Sequence, residues 1–253
     1  MIDANGHQLN VEISGPVDGP TVVLLHHGLG SLRSWKEQIP ALTTAGFRVI
    51  AYDRWGYGCS EPRPQLSIPY FEEDLADLRA LLDELRIDRA SLVGHSDGGT
   101  MALYFSTLHP WRVARLVVAA THVYVEAKMK AGINEVRQAY ESNARFQEGL
   151  HRLHNDKADS LFFNWYTGWY RPENLSWDIR PLISQIACPT LVIHATEDEH
   201  ATLQHAQDIA GEIPNAELQI QPGAGHMLPQ DMPEAFNLRM LEFLKRETVN
   251  RDA

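Results

Sequence analysis

A chain of 253 residues with 44% apolar side chains is long enough to bury one core carrying a modest inserted cap. Its 33 acidic against 22 basic side chains give a formal charge of −11, which repels phosphate backbones and anionic bilayer surfaces and argues against nucleic acid or membrane partners. Met1 to Asn10 is polar, without the basic flank and apolar run of a secretory signal, and no apolar stretch is long enough to span a bilayer. Cys59 and Cys188 form no CxxC pair, so neither a disulfide framework nor a thiolate metal site is expected, and a reducing, cytoplasmic setting is.

Taken in chain order, His7 to Ser14 alternates in the manner of an antiparallel edge strand. Thr21–His26, Phe47–Asp53, Ala90–Gly94, Val113–Thr121, Thr190–Ala195 and Ala216–Gln221 are short apolar runs that read as buried parallel strands. Between them, Phe71, Leu75, Leu78, Leu82 and Leu85 recur at helical spacing opposite Glu72, Glu73, Asp77 and Glu84, which predicts an amphipathic crossover helix. Gly98–Leu108, Leu203–Gly211 and Pro233–Arg246 repeat the pattern. This β, α, β, α order calls for a mostly parallel twisted sheet with helices on both faces. The stretch 122–185 interrupts the rhythm with helical pattern, many aromatics and no convincing strand, so it is expected to form a helical cap inserted into a core of residues 1–121 and 186–253.

Ser91-Leu92-Val93-Gly94-His95-Ser96-Asp97-Gly98-Gly99-Thr100 places G-x-S-x-G directly after a strand and before a helix. A serine in such a turn projects its hydroxyl from the end of the sheet, with free N–H groups of the new helix beside it. A hydroxyl is too weakly acidic to attack an ester unaided, so a base and an orienting acid are needed, and in this arrangement they follow later in the chain on loops after late strands. Asp198, in Thr196-Glu197-Asp198-Glu199-His200, is the expected acid, with Glu197 and Glu199 read as solvated. His226, in the loop Pro222-Gly223-Ala224-Gly225-His226-Met227, is the expected base. Two backbone donors would complete an oxyanion hole: the N–H of Asp97, and that of Leu29 in His26-His27-Gly28-Leu29-Gly30. His151 with His154, and His26 with His27, lack clustered carboxylates or thiolates at ligand spacing, so no metal is expected, and the serine chemistry needs no cofactor.

Together with Asp53-Arg54-Trp55-Gly56-Tyr57-Gly58-Cys59-Ser60, which matches a D-x-x-G-x-G-x-S turn, these segments resemble the α/β-hydrolase superfamily across nearly the whole chain. Trp55 stands where proline is common there, a departure expected to widen or line the pocket. Gly94-His95-Ser96-Asp97-Gly98-Gly99 and the cap look most like the valacyclovir-hydrolase-like (biphenyl-hydrolase-like) branch. That resemblance implies that Asp97 holds the α-ammonium group of an amino acid ester, although an aspartate in a first helical turn is also favoured by the helix dipole alone. Several cap aromatics are expected to roof an apolar pocket, with Trp165 and Trp169, four residues apart, sharing the substrate-facing side. The expected activity is hydrolysis of small carboxylic esters through an acyl-enzyme. The same triad acting on C–C bonds, lactones or peracids is an alternative within catalysis, and a ligand-binding receptor on this fold is one outside it.

Overall fold

The computed structural model describes residues 1–246. Nine strands form in chain order: β1 (Ile2–Ala4), β2 (His7–Leu9), β3 (Val11–Ser14), β4 (Thr21–Leu25), β5 (Arg48–Tyr52), β6 (Ala90–His95), β7 (Val113–Ala119), β8 (Thr190–Ala195) and β9 (Ala216–Gln221). The α-helices are α1 (Gln38–Thr44), α2 (Glu72–Glu84), α3 (Asp97–Leu108), α4 (Ala127–Ser142), α5 (Ala144–His154), α6 (Ala158–Tyr170), α7 (Arg180–Ile183), α8 (Leu203–Glu212), α9 (Leu228–Asp231) and α10 (Pro233–Leu244). Seven strands make one sheet in the order β3-β5-β4-β6-β7-β8-β9, parallel throughout except for β3. This is the expected mostly parallel sheet.

Strand alternation divides the core in two. Val23 and Leu25 of β4 join the cluster that holds Leu78 of α2, Phe105 of α3 and Ile209 of α8, while Val22 and Leu24 face Leu42 of α1 with Phe236 and Met240 of α10. Helices therefore cover both faces. Helices α4 to α7 all lie between β7 and β8, and their Met129, Leu161 and Trp165 belong to the first of those clusters. The two stems of this insertion pair with each other: Val125 N–H donates to Trp177 O, and Ile179 N–H to Val123 O.

Three details differ from the sequence reading. The segment His7–Ser14 is not one strand, because Asn10 leaves the ladder to bond Asp53 through its Nδ2 (2.8 Å) and Ser60 Oγ through its N–H (2.9 Å). The first half instead pairs with β1 across a turn in which Asn5 (φ 60°) and Gly6 (φ 85°) are left-handed, as a two-residue hairpin requires. Strand β9 is only partly buried; it pairs with β8 alone, and its Glu217, Gln219 and Gln221 suit an edge. Helix α1, too short to show a periodic stripe, had no counterpart among the predicted elements.

Candidate active site

Ser96 sits between the last residue of β6 and the first of α3 with φ 53° and ψ −122°, a conformation its Cβ makes costly, of order 1 to 3 kcal/mol. Ser96 N–H is held by Ala119 O at 2.9 Å, and the Ser96 carbonyl accepts from Thr100 N–H at 3.0 Å as α3 begins. The turn closes only because its flanking residues lack side chains. A Cβ on Gly94 would lie 2.3 Å from Gly98 O, and one on Gly98 2.0 Å from Leu25 O.

Loops after β8 and β9 bring two further groups to the serine. His226 Nε2 lies 2.9 Å from Ser96 Oγ, and His226 Nδ1 lies 3.1 and 3.0 Å from the two carboxylate oxygens of Asp198. All three side chains are buried. An ionised carboxylate only accepts, so Nδ1 carries the imidazole proton and Nε2 presents its lone pair to the serine. Asp198 Oδ1 also accepts from the N–H groups of His200 (2.8 Å) and Ala201 (2.9 Å). Burial opposes ionisation of Asp198, but the His226 ring and its hydrogen bond, then His194 and His122, outweigh it and hold the carboxyl well below the usual range.

The backbone of His226 is fixed from two sides: its carbonyl accepts from His95 Nε2 (2.8 Å) and its N–H donates to Glu199 Oε2 (2.9 Å). Glu197 and Glu199 are both exposed, as expected, and Glu199 in addition holds the His226 N–H. Around His226 stand histidines that burial keeps neutral. Burial, then the proximity of His226, pushes His95 down to about 3 and His200 down to about 4; burial with His205 pulls His122 well below its ordinary value.

Leu29 and Asp97 line the same cavity as Ser96. The Asp97 N–H, at the first position of α3, has no intrahelical carbonyl to reach. The Leu29 N–H has no protein acceptor among the described residues. The Asp97 side chain, 2% exposed, accepts from Trp165 Nε1 at 3.1 Å. Burial pushes its carboxyl up to about 6, against Arg54 and the Trp165 bond, which both favour the charged form. Arg54 was not singled out by its position in the chain, yet it is fully buried beside this carboxylate, Nη1 3.7 Å from Asp74 and its guanidinium over the Tyr57 ring.

A cavity of about 470 Å³ opens above the serine, lined by Ser96, Asp97, Leu29, His226, Trp165 and Trp169 together with apolar side chains of α4 and α5. Of the aromatics concentrated in 162–177, only Trp165 and Trp169 line it; Phe162 stacks on Tyr140, and Trp177 donates to Tyr104 Oη at 2.8 Å. The wall is supplied instead by Met129 and Ile133 of α4 and by Phe146, Leu150 and Leu153 of α5, whose three- and four-residue spacing carries that signal in the sequence. Trp55 does not line the pocket. It is held elsewhere by its own contacts: it stacks on His7 at 3.6 Å, lies under the Arg63 guanidinium at 4.7 Å and donates to Pro62 O.

The chain is 28% identical over 253 residues to the mouse (Mus musculus) protein "Serine hydrolase BPHL", covering 96% of this chain and 85% of that one. It is 29% identical over 269 residues to the "Putative carbamate hydrolase RutD" of Caulobacter sp. (strain K31), covering 98% of both. Among solved structures, a hydrolase from Pseudomonas aeruginosa superimposes with a TM-score of 0.76 at 27% identity, covering 97% of each chain. The family described as "Alpha/beta hydrolase family" matches residues 22–238, a span that begins in β4, contains the Ser96 turn and both later loops, and ends within α10; this chain belongs to that family and is a hydrolase.

Proposed function

We propose that the protein is a serine hydrolase that cleaves small carboxylic esters through an acyl-enzyme. The observation that carries this reading is the continuous line from Ser96 Oγ through His226 to Asp198, at 2.9 and 3.0 Å. Ser96 Oγ attacks the ester carbonyl carbon while its proton passes to His226 Nε2. The carbonyl oxygen, now an anion, lies against the N–H groups of Leu29 and Asp97. Collapse breaks the bond to the alkoxy oxygen, which leaves with the proton from His226. Water then attacks the acyl-serine, giving a proton to Nε2, and a second collapse releases the carboxylic acid and restores Ser96. No step needs a metal or cofactor. A phosphonofluoridate is expected to abolish esterase activity with one adduct per chain on the peptide containing Ser96; full labelling elsewhere, or full labelling with activity retained, refutes the assignment.

The preferred acyl group in this reading is an α-amino acyl group. Asp97 places a carboxylate one residue from the nucleophile, in a cavity otherwise mostly apolar, with Trp165 orienting one oxygen. An ammonium beside the scissile carbonyl would replace the hydration that burial takes from Asp97. Two outcomes follow from its carboxyl standing at about 6. In kcat/KM, the preference for an alanine ester over the matching propionate ester should fade as pH falls below about 6, because neutral Asp97 no longer attracts the ammonium. Asp97→Asn should remove that preference at every pH.

The second outcome concerns stability. The folded state binds the Asp97 proton more tightly than the unfolded chain, so the favourable contribution is complete below the unfolded value, about 4, and is lost as pH rises to about 6. Asp97→Asn is therefore expected to stabilise the fold at about pH 8 by on the order of 2 to 3 kcal/mol, and not at about pH 4. Thermal melts at the two pH values check this; equal shifts at both would contradict it.

A further inference from the structure

Helix α5 ends in a histidine that the hydrolytic steps above leave unused. His154 is 1% exposed, and both of its ring nitrogens are engaged outside its own helix. Gly58 N–H donates to Nδ1 at 2.9 Å, so the ring proton is on Nε2, which donates to Leu29 O at 3.1 Å. Burial, the strongest influence on it, lowers its proton affinity and favours this neutral form, while the bond to Leu29 works the other way.

The Leu29 loop needs that contact. His27 to Gly30 is a tight turn closed by Gly30 N–H donating to His27 O at 3.0 Å. Its first corner is anchored in the core, since His27 O also accepts from His26 Nδ1 (2.8 Å) and Arg54 Nη2 (3.3 Å). The central peptide, Gly28 C=O with Leu29 N–H, has no hydrogen bond of its own among the described residues. Gly28 offers little steric resistance to rotation, and it must be glycine because a Cβ would lie 2.2 Å from Trp165 Nε1. The direction of the Leu29 N–H therefore follows the peptide on the far side of Leu29. Two bonds hold that peptide: Gly30 N–H to His27 O within the turn, and His154 Nε2 to Leu29 O, which reaches it from outside the turn.

We propose that His154 is a positioning residue for the oxyanion hole, so that the cap, and not the sheet alone, aims one of the two donors. The inference rests on the reading of Leu29 N–H as an oxyanion donor. Its reach is wider than one bond. Lys157, just past α5, donates to Tyr57 O and to Ser60 O, so the same end of the cap also clasps the turn that supplies Gly58. Asp53 ties that turn back to the short 3-10 helix that follows the oxyanion loop, accepting from Cys59 N–H (2.8 Å) and from Leu32 N–H (2.7 Å). Helix α5 further places Phe146, Leu150 and Leu153 in the cavity wall, so one rigid element both contacts the acyl group and aims the donor that stabilises its transition state.

The test compares wild type, His154→Leu and His154→Gln on p-nitrophenyl butyrate, with active sites titrated by a phosphonofluoridate. His154→Leu is expected to lower kcat by about 100-fold, the scale on which a misplaced oxyanion donor acts, with KM within about threefold. His154→Gln, whose amide can accept and donate, should recover at least half of that loss on a logarithmic scale. Affinity for a trifluoromethyl ketone, whose adduct with Ser96 carries the oxyanion, should fall in step with kcat/KM. A kcat within threefold of wild type in His154→Leu overturns the proposal, as does a lowered kcat with unchanged ketone affinity. Either result beside an inactive Ser96→Ala overturns this inference alone, whereas an active Ser96→Ala overturns the reading beneath it.

Discussion

Ser96→Ala is expected to lower kcat on p-nitrophenyl butyrate by about five to six orders of magnitude, the scale on which a triad acting as a unit fails when its nucleophile is removed. The loss should fall on kcat, because the wall of the cavity above Ser96 is built from α4, α5 and α6 and does not depend on the Ser96 hydroxyl. It should also come without loss of fold. Ser96 holds φ 53°, a strain that alanine shares, and its backbone bonds to Ala119 and Thr100 need no side chain. Steady-state kinetics together with a thermal melt check both parts. Turnover within tenfold of wild type, with the melt unchanged, would remove Ser96 from the mechanism and favour an unrelated catalytic group.

The second large effect is predicted for Asp198→Asn, on the order of 10⁴-fold in kcat. Its cause is geometric. Asp198 Oδ1 is pinned by the N–H groups of His200 and Ala201, and these are donors that only an oxygen can satisfy. In the asparagine variant the carbonyl oxygen must occupy that position, which turns the amide NH₂ toward His226 Nδ1. Nδ1 then has to accept, the imidazole proton moves to Nε2, and the ring can no longer take the proton from Ser96. Glu199→Gln supplies the contrast, since glutamine still offers an oxygen to the His226 N–H; a change below about fivefold is expected for it. If Asp198→Asn retained more than a tenth of wild-type kcat, another group would have to orient His226.

The parallel sheet was legible because its strands are apolar on both faces and its helices carry stripes, patterns that burial imposes directly on composition. The Ser96 turn was legible for a steric reason: Gly94 and Gly98 have contacts that exclude any Cβ, so the pattern in the chain is the geometry written in residue types. Helix α1 was not, since seven residues show too few turns for a stripe. Trp55 misled because a motif position says which turn forms and not which way the side chain leaves it. The cavity wall from α5 was present as spacing at 146, 150 and 153, but the aromatic residues of α6 drew the expectation toward themselves, and most of those pack within the cap.

By itself the sequence determined the sheet, the order of its elements and the three residues at which a nucleophile, a base and an acid should be sought, because each is bound to a local turn or a periodic face. Only the tertiary structure decided what surrounds them. Burial pushes the Asp97 carboxyl up to about 6 beside a buried Arg54, Glu199 and His95 hold the His226 backbone, and His154 reaches from the cap to the carbonyl of Leu29. Those relations join residues as far as 131 positions apart, and desolvation and hydrogen-bond direction exist only once the chain has closed around them.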